Sequence, residues 1–360
     1  MRLGKPTSMA WEGVFVASSP DTSSSRPGAA GFEDWTADAL FYEYSKAADP
    51  IRSGSISPIP PCQFGAELYA EGPTRVVPLD LSAALHTDFP ATSPALLANF
   101  VRITAGDSLV TDVNATSQLF YCLRGRGWSE FGAHKGTARI RWSDGDFITL
   151  PAGCEARWHA ENDTAFYWVH DQPLLAYLGA TADKPRFRPT VFPKEQAVEE
   201  LQQVAQDPQA GNRSRVSVLL ANKEEDQTLT ITHVLWAMFG ILPQGQTQPP
   251  HRHQSVALDL ILECEPGCYT LLGESLDEHG QLINPTRVEW TPGCAFVTPP
   301  GQWHSHHNES GADAHLIPIQ DAGLQTYLRA LDIQFTSNPE LAKQAQHTSA
   351  DISPKNLGPR

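Results

Sequence analysis

Short runs of β-branched and aromatic residues, separated by glycine, proline and other turn-forming residues, dominate the chain from about residue 95 onwards. Runs such as QLFYCLRG, TARIRW, DFITLP and AFYWVHD have the length of single strands and recur at short intervals. Repeated short strands with turn residues between them are typical of an antiparallel sandwich or barrel. The pattern therefore predicts an all-β protein.

The β-rich pattern occurs twice, which indicates an internal duplication. Each copy has a glycine-opened approach, a later Gly-x5-Pro segment and a closing Asp before a leucine-rich turn. That turn reads HDQPLLAYLG in the first copy and IQDAGLQTYLRALDI in the second. Between the copies, Lys194 to Asp207 has apolar residues at helical spacing and follows Pro193, so we expect a connecting helix there.

These patterns divide the 360-residue chain into five predicted segments, and the length suits two domains of ordinary size. The segments are an N-terminal extension rich in Pro, Ser and Gly (1–90), a first β domain (91–182), a helical connector (183–225), a second β domain (226–338) and a flexible tail (339–360).

Composition narrows the choice of partners. The formal net charge of -15 makes nucleic acid and anionic membrane surfaces poor partners. No run reaches the roughly 18 apolar residues of a membrane-spanning helix, and the N-terminus lacks the continuous apolar stretch of a signal peptide. We therefore expect a cytoplasmic protein that acts on a small molecule.

Three histidines of the second β domain have the spacing of a metal site. His251 and His253 lie two residues apart in a predicted strand, so their side chains project from the same face. His304 follows about fifty residues later, in a Pro-x-Gly-x-x-His-x3-Asn segment that predicts a neighbouring strand. Three imidazole ligands leave coordination positions open for water, substrate or dioxygen, as a catalytic metal requires.

The two histidine-bearing segments resemble the two cupin motifs, G-x5-H-x-H-x3,4-E-x6-G and G-x5-P-x-G-x2-H-x3-N. The second motif matches at every defined position from Gly293 to Asn308. The first keeps Gly245 and both histidines but has Ala257 in place of the acidic ligand. A three-histidine set without a carboxylate resembles the ring-cleaving bicupin dioxygenases that act on gentisate, salicylate or 1-hydroxy-2-naphthoate. The strings HRHQSVALDLILE, WHSHHNES and LWAMFG carry that resemblance.

The resemblance implies two cupin barrels of the double-stranded β-helix, or jelly-roll, type, with one divalent metal held by His251, His253 and His304. Fe(II) is the first choice of metal, and Mn, Ni or Zn remain alternatives because imidazole ligands do not discriminate between them. The implied partners are dioxygen, a phenolic acid or similar enolisable compound, and further copies of the chain in a dimer or tetramer. His306 is the candidate catalytic residue, for proton transfer or hydrogen bonding, and Trp236 is a candidate wall of the substrate site.

The first β domain keeps the motif spacing without the ligands. Its frame places Asp112, Asn114 and Gln118 at the ligand positions of the first motif, and Ala156 at the position of the third histidine. An amide is a weak ligand and alanine is none, so we expect a metal-free domain that serves as a packing partner. An unusual site that uses Asp112 and His159 is the alternative.

Asp259 argues against a simple aromatic acid as the substrate. In the resembling family an arginine commonly follows the second ligand by six residues and holds the substrate carboxylate, but here Asp259 occupies that position. An ionised aspartate repels a carboxylate, so Asp259 is a candidate substrate-binding residue for another substrate, unless Arg252 or Arg287 replaces the arginine. Three functions stay open: an Fe(II) dioxygenase, another metal-dependent cupin enzyme such as an isomerase, decarboxylase or lyase, and a non-catalytic small-molecule-binding bicupin.

Overall fold

The computed structural model describes residues 35–133, 136–207 and 215–336. Its contacts divide the chain into two units, Met1–Ser53 and Gly54–Arg360. The described part of the first unit contains one short helix, α1 (Tyr44–Ala47). The predicted flexible tail lies outside the described residues. All further description concerns the second unit.

The N-terminal half of the second unit is a sandwich of two antiparallel sheets. Its strands are β1 (Gln63–Phe64), β2 (Arg75–Pro78), β3 (Leu97–Ile103), β4 (Ser108–Thr111), β5 (Ser117–Arg124), β6 (Arg126–Ala133), β7 (Gly136–Ser143), β8 (Phe147–Pro151), β9 (Glu155–Ala160), β10 (Thr164–His170) and β11 (Thr190–Phe192). Its helices are α2 (Glu67–Ala70), α3 (Ser82–Leu85) and α4 (Gln172–Leu178). One sheet has the order β11-β8-β5-β10-β3-β2 and the other β4-β9-β6-β7, whereas β1 joins the second half.

The C-terminal half repeats this architecture. Its strands are β12 (Val216–Leu220), β13 (Trp236–Leu242), β14 (Thr247–His253), β15 (Ala257–Glu263), β16 (Cys268–Gly273), β17 (Thr286–Glu289), β18 (Ala295–Thr298), β19 (Trp303–Asn308), β20 (Ala314–Gln320) and β21 (Ile333–Phe335). One sheet has the order β1-β18-β15-β20-β13-β12 and the other β17-β16-β19-β14-β21. Helix α5 (Lys194–Gln206) connects the halves, and α6 (Ala322–Tyr327) follows β20.

The prediction of an all-β fold, with two jelly-roll units joined by a helical connector, is confirmed. Each unit is a pair of facing sheets rather than a closed ring of strands. The connecting helix was predicted at Lys194 to Asp207 and ends at Gln206. The repeated short strands made the fold class visible because each half alternates buried strands with turns in the same order.

The two six-stranded sheets pack against each other, and the histidine-bearing strands β14 and β19 belong to the five-stranded sheet on the other side of the second sandwich. Phe100, Leu119 and Tyr167 of the first half share one core with Leu258 and its neighbours in the second half. Because side chains alternate across a strand, Asp259 points away from that shared core and into the interior of the second sandwich. The candidate site lies in this interior.

Candidate metal centre

Four histidines converge in the interior of the second sandwich. His251 and His253 lie on β14, and His304 and His306 lie on the neighbouring β19, with His251 directly opposite His304 in the antiparallel register. All four are at most 5% exposed. The alternation of side chains along paired strands therefore gathers residues that are far apart in the sequence.

The distances between the rings show which histidines lie closest together. The ring centroid of His304 lies 4.1 Å from that of His251 and 4.9 Å from that of His253, and the centroids of His251 and His253 are 6.3 Å apart. His306 lies 5.8 Å from His251 and 5.6 Å from His304. Ligand atoms of His251, His304 and His306 all fall within 4.8 Å of one another. The structure thus brings a fourth histidine into the predicted set, and the choice of the third ligand depends on hydrogen bonding.

Backbone carbonyls fix the orientation of the three histidines that the sequence predicts as ligands. Each Nδ1 lies close to the carbonyl oxygen of a residue two positions away: Pro249 for His251 (3.0 Å), Ser255 for His253 (2.8 Å) and Gln302 for His304 (3.1 Å). A carbonyl only accepts, so each Nδ1 carries the proton and each Nε2 has a lone pair, which at His251 faces the neutral side-chain nitrogen of Gln248 at 3.4 Å. Metal-binding histidines are commonly oriented by this kind of hydrogen bond, so the donor set fits a divalent metal.

His306 has different partners. Its Nδ1 lies 2.8 Å from the Thr270 hydroxyl, and its Nε2 lies 3.3 Å from Nη2 of Arg215. A guanidinium only donates hydrogen bonds, so the Nε2 lone pair of His306 accepts from Arg215. A metal at this nitrogen would have to displace the arginine and would be repelled by its charge. The contacts therefore favour His306 as a residue beside the metal rather than a ligand.

The histidines are neutral in this environment. Burial lowers the pKa of His251, His304 and His306 well below the usual histidine value and that of His253 to about 4. The positive charge of Arg215 lowers the pKa of each of them further. Metal binding requires the neutral imidazole, so the ligands need to lose no proton near pH 7.

The two predicted substrate-binding residues lie in the same sandwich. Asp259 is buried and accepts a hydrogen bond of 2.7 Å from the Thr298 hydroxyl, and burial raises its pKa to about 6. Trp236 is half-buried on β13, on the same strand face as Met238, whose sulfur contacts Arg215. The indole N–H of Trp236 is buried and has no hydrogen-bond partner among the described residues. It is available to a ligand oxygen.

The arginines considered as replacements for the missing family arginine lie elsewhere. Arg252 binds the Gln334 side chain and lies over the Trp303 ring, and Arg287 lies over the Tyr269 ring. Arg215 enters the interior instead. Sequence reasoning missed it because it precedes an edge strand, and nothing in the local sequence indicates the direction of its side chain.

The first sandwich does not bring its motif residues together. Asp112 and Asn114 are exposed, and Asn114 hydrogen-bonds the backbone of Ala180 and Ala182. Gln118 and Ala156 are buried, the latter in an aromatic core that includes Trp158. His159, considered with Asp112 for an unusual site, stacks on Trp128 at 3.9 Å. Within the described ranges, the metal-ligand group found lies in the second sandwich.

Comparisons with known proteins agree with this geometry. Residues 238–320, which contain all four histidines, match the family model described as the cupin domain. The second sandwich contains a cupin domain. No curated protein sequence matches the chain, and within the part that the structure describes no helix is long and apolar enough to cross a membrane.

Solved bicupin structures share the fold of about four fifths of the chain. A salicylate 1,2-dioxygenase variant from Pseudoaminobacter salicylatoxidans in complex with gentisate is 13% identical, with a TM-score of 0.60 over 78% of this chain and 87% of that one. An oxalate decarboxylase variant from Bacillus subtilis is 11% identical, with a TM-score of 0.52 over 83% of this chain and 85% of that one. The resemblance to bicupins is thus shown at the level of fold.

Proposed function

We propose that the chain is a metal-dependent bicupin oxidoreductase, an Fe(II) dioxygenase that cleaves a phenolic acid or a similar enolisable compound. His251, His253 and His304 are the proposed ligands, and the first cupin is a metal-free packing partner. The observation that supports this most is the set of three buried, neutral imidazoles whose Nδ1 atoms are bound to backbone carbonyls. Such a set leaves open coordination positions, and the fold likeness to salicylate 1,2-dioxygenase agrees with it.

The residues around the ligands have distinct roles in this proposal. A bound ferrous ion would supply the redox chemistry between substrate and dioxygen. His306 is neutral, and its Nε2 can take a proton from a substrate hydroxyl when Arg215 turns towards the substrate. The unpartnered indole N–H of Trp236 can donate to a substrate oxygen. The burial of all four histidines keeps bulk water away from the reacting atoms.

Asp259 supports a second candidate, a metal-dependent decarboxylase. Its carboxyl lies in the cupin interior with Thr298 as its hydrogen-bond donor, where it can supply a proton to the carbanion that decarboxylation leaves. The fold likeness to oxalate decarboxylase is compatible with this reaction. A cytoplasmic location and a homo-oligomeric state remain predictions from the sequence.

Oxygen uptake by anaerobically iron-loaded protein separates these candidates. The substrates are gentisate, salicylate, 1-hydroxy-2-naphthoate and oxalate, and products formed under ¹⁸O₂ are analysed by mass spectrometry. The dioxygenase incorporates both oxygen atoms into a ring-opened product, and His304→Ala abolishes uptake. Carbon dioxide release without oxygen uptake would favour the decarboxylase. Binding without turnover would favour a non-catalytic bicupin.

A further inference from the structure

Arg215 is a half-buried cation whose guanidinium enters the cupin interior, where its hydrogen-bond partners are all neutral. It precedes β12, the edge strand of the six-stranded sheet. Its Nε and Nη2 donate to the Gln248 side-chain oxygen at 3.2 and 3.1 Å, and Nη2 also donates to His306. Its Nη1 contacts the Met238 sulfur at 3.6 Å, and a thioether is a weak acceptor. Nη1 is therefore the least satisfied end of the guanidinium.

No described carboxylate lies within 4 Å of Arg215. Buried arginines are normally paired with an anion, because an unpaired charge in a protein interior is strongly unfavourable. Asp259 shares the interior, but its carboxylate accepts its hydrogen bond from Thr298. Among the described residues, the guanidinium therefore has no carboxylate in direct contact, and the charge that acts on it is that of the more distant Asp259.

Gln248 connects Arg215 to the histidines. Its side-chain oxygen accepts from the guanidinium, and its side-chain nitrogen lies 3.4 Å from Nε2 of His251. A ligand oxygen that replaced the Gln248 contact at Arg215 would therefore lie near His251. Since the four imidazoles are neutral, a divalent metal and a guanidinium together would outweigh the single carboxylate of Asp259 and leave the interior positive. An anionic ligand would offset both charges.

We propose that Arg215 is the residue that binds the substrate carboxylate, so that the site selects small anions with a carboxylate next to a hydroxyl or enol oxygen. This inference rests on the proposed function for the existence of a metal-chelating substrate. The arginine enters from the connector side of the cupin, whereas Asp259 occupies the position from which an arginine was expected. Asp259 therefore does not exclude an acidic substrate, because the carboxylate binds at a different wall of the interior.

Anaerobic calorimetry on Co(II)-loaded protein tests this without turnover. The probes are two acid and amide pairs, salicylate with salicylamide and lactate with lactamide, which differ in charge but keep the 2-hydroxyl group. The wild type is expected to prefer at least one acid over its amide. Arg215→Gln should weaken the binding of that acid by about 10- to 100-fold, the size of a lost hydrogen bond to a charged group. Amide binding should hardly change.

Arg252→Gln is the matched control, because Arg252 lies on β14 but binds Gln334 outside the histidine cluster. It should keep the acid preference. Arg215→Lys retains the charge without the planar guanidinium and should give an intermediate loss of affinity for the acid. If Arg215→Gln loses its metal, the acid preference of Arg215→Lys tests the proposal instead.

The proposal is overturned if the wild type prefers neither acid over its amide, or if both Arg215 variants keep the preference of the wild type. An acid preference that depends on Arg215, in a protein that consumes no oxygen, would support the anion site while refuting the dioxygenase. The two proposals can therefore fail separately.

Discussion

The identity of the third metal ligand can be tested by comparing His253→Ala with His306→Ala. Distance groups His306 with His251 and His304, whereas hydrogen bonding favours His253, whose Nε2 makes no hydrogen bond found among the described residues. We expect His253→Ala to lose most of its metal and His306→Ala to keep it. His307→Ala is the matched control, because His307 also lies on β19 but stacks on Tyr269 at 4.7 Å, away from the cluster.

The expected difference in affinity is large. Metal–nitrogen bonds are about 2.1 Å long, so neighbouring Nε2 atoms in a bound site lie about 3 Å apart. Either set of three must therefore close around the ion, but with His306 this closure also displaces Arg215 from its 3.3 Å contact. Structural zinc sites with four ligands bind with about 10–16 kcal/mol, or about 3 kcal/mol per ligand. Loss of a ligand thus weakens binding by about 100-fold, and loss of a supporting neighbour by about 10-fold.

Competition with a fluorescent chelator measures the metal affinity of each variant. Elemental analysis after dialysis measures its metal content. Circular dichroism and the midpoint of thermal unfolding in the presence of chelator show whether each variant keeps its fold. If His306→Ala loses its metal and His253→Ala retains it, the assignment from hydrogen bonds is wrong, and Arg215 must leave His306 when the metal binds.

Three further predictions concern the rest of the molecule. Asp112→Ala and Asn114→Ala should leave metal content unchanged because both side chains are exposed; loss of half the bound metal would contradict this. Trp158→Ala should lower the free energy of unfolding by about 3–5 kcal/mol in urea titrations, because it removes a fully buried ring, whereas a loss below about 1 kcal/mol would mean that the aromatic core rearranges. Burial lowers the pKa of His233 to about 4, so the stability that depends on neutral His233 should be present above pH 6.5 and lost as the pH falls towards 4, by up to about 3 kcal/mol. His233→Gln, which can still bond Thr116, should reduce that loss, and an unchanged pH profile would contradict the prediction.

The sequence predicted the fold class and the convergence of His251, His253 and His304 because both follow from local rules. Short strands separated by turns define the fold, and the period of two along a strand places His251 and His253 on one face. The third histidine needed only the neighbouring strand, which the structure supplies by pairing β14 with β19. Where the direction of a side chain follows from the alternation of residues along a strand, the sequence is sufficient to predict it.

The remaining features depend on tertiary context. The motif spacing aligns Asp112 and Asn114 with His251 and His253 and so predicts a strand at this point. In the structure β4 ends at Thr111 and β5 begins at Ser117, so Asp112 and Asn114 lie in a loop. Strand β14 continues through His253, where β21 pairs with it. Strand pairing at long range decides where a strand ends, and local sequence does not encode it. The direction of the Arg215 side chain likewise depends on long-range contacts that the local sequence does not encode.

When the motifs of the two halves are aligned, Ala156 and Trp158 of the first half correspond to His304 and His306 of the second. In the first half, Trp158 packs among other aromatic rings, with Phe120 at 4.3 Å and Phe166 at 4.9 Å, and these fill the interior. Such a core stabilises by burial and requires no ligand. The second interior instead holds four imidazoles, the Arg215 guanidinium and the Asp259 carboxyl, polar groups that gain little from burial. Because the two sheets share one core, the apolar half can support the polar half, and this would allow the proposed site to be completed by a metal and an anion.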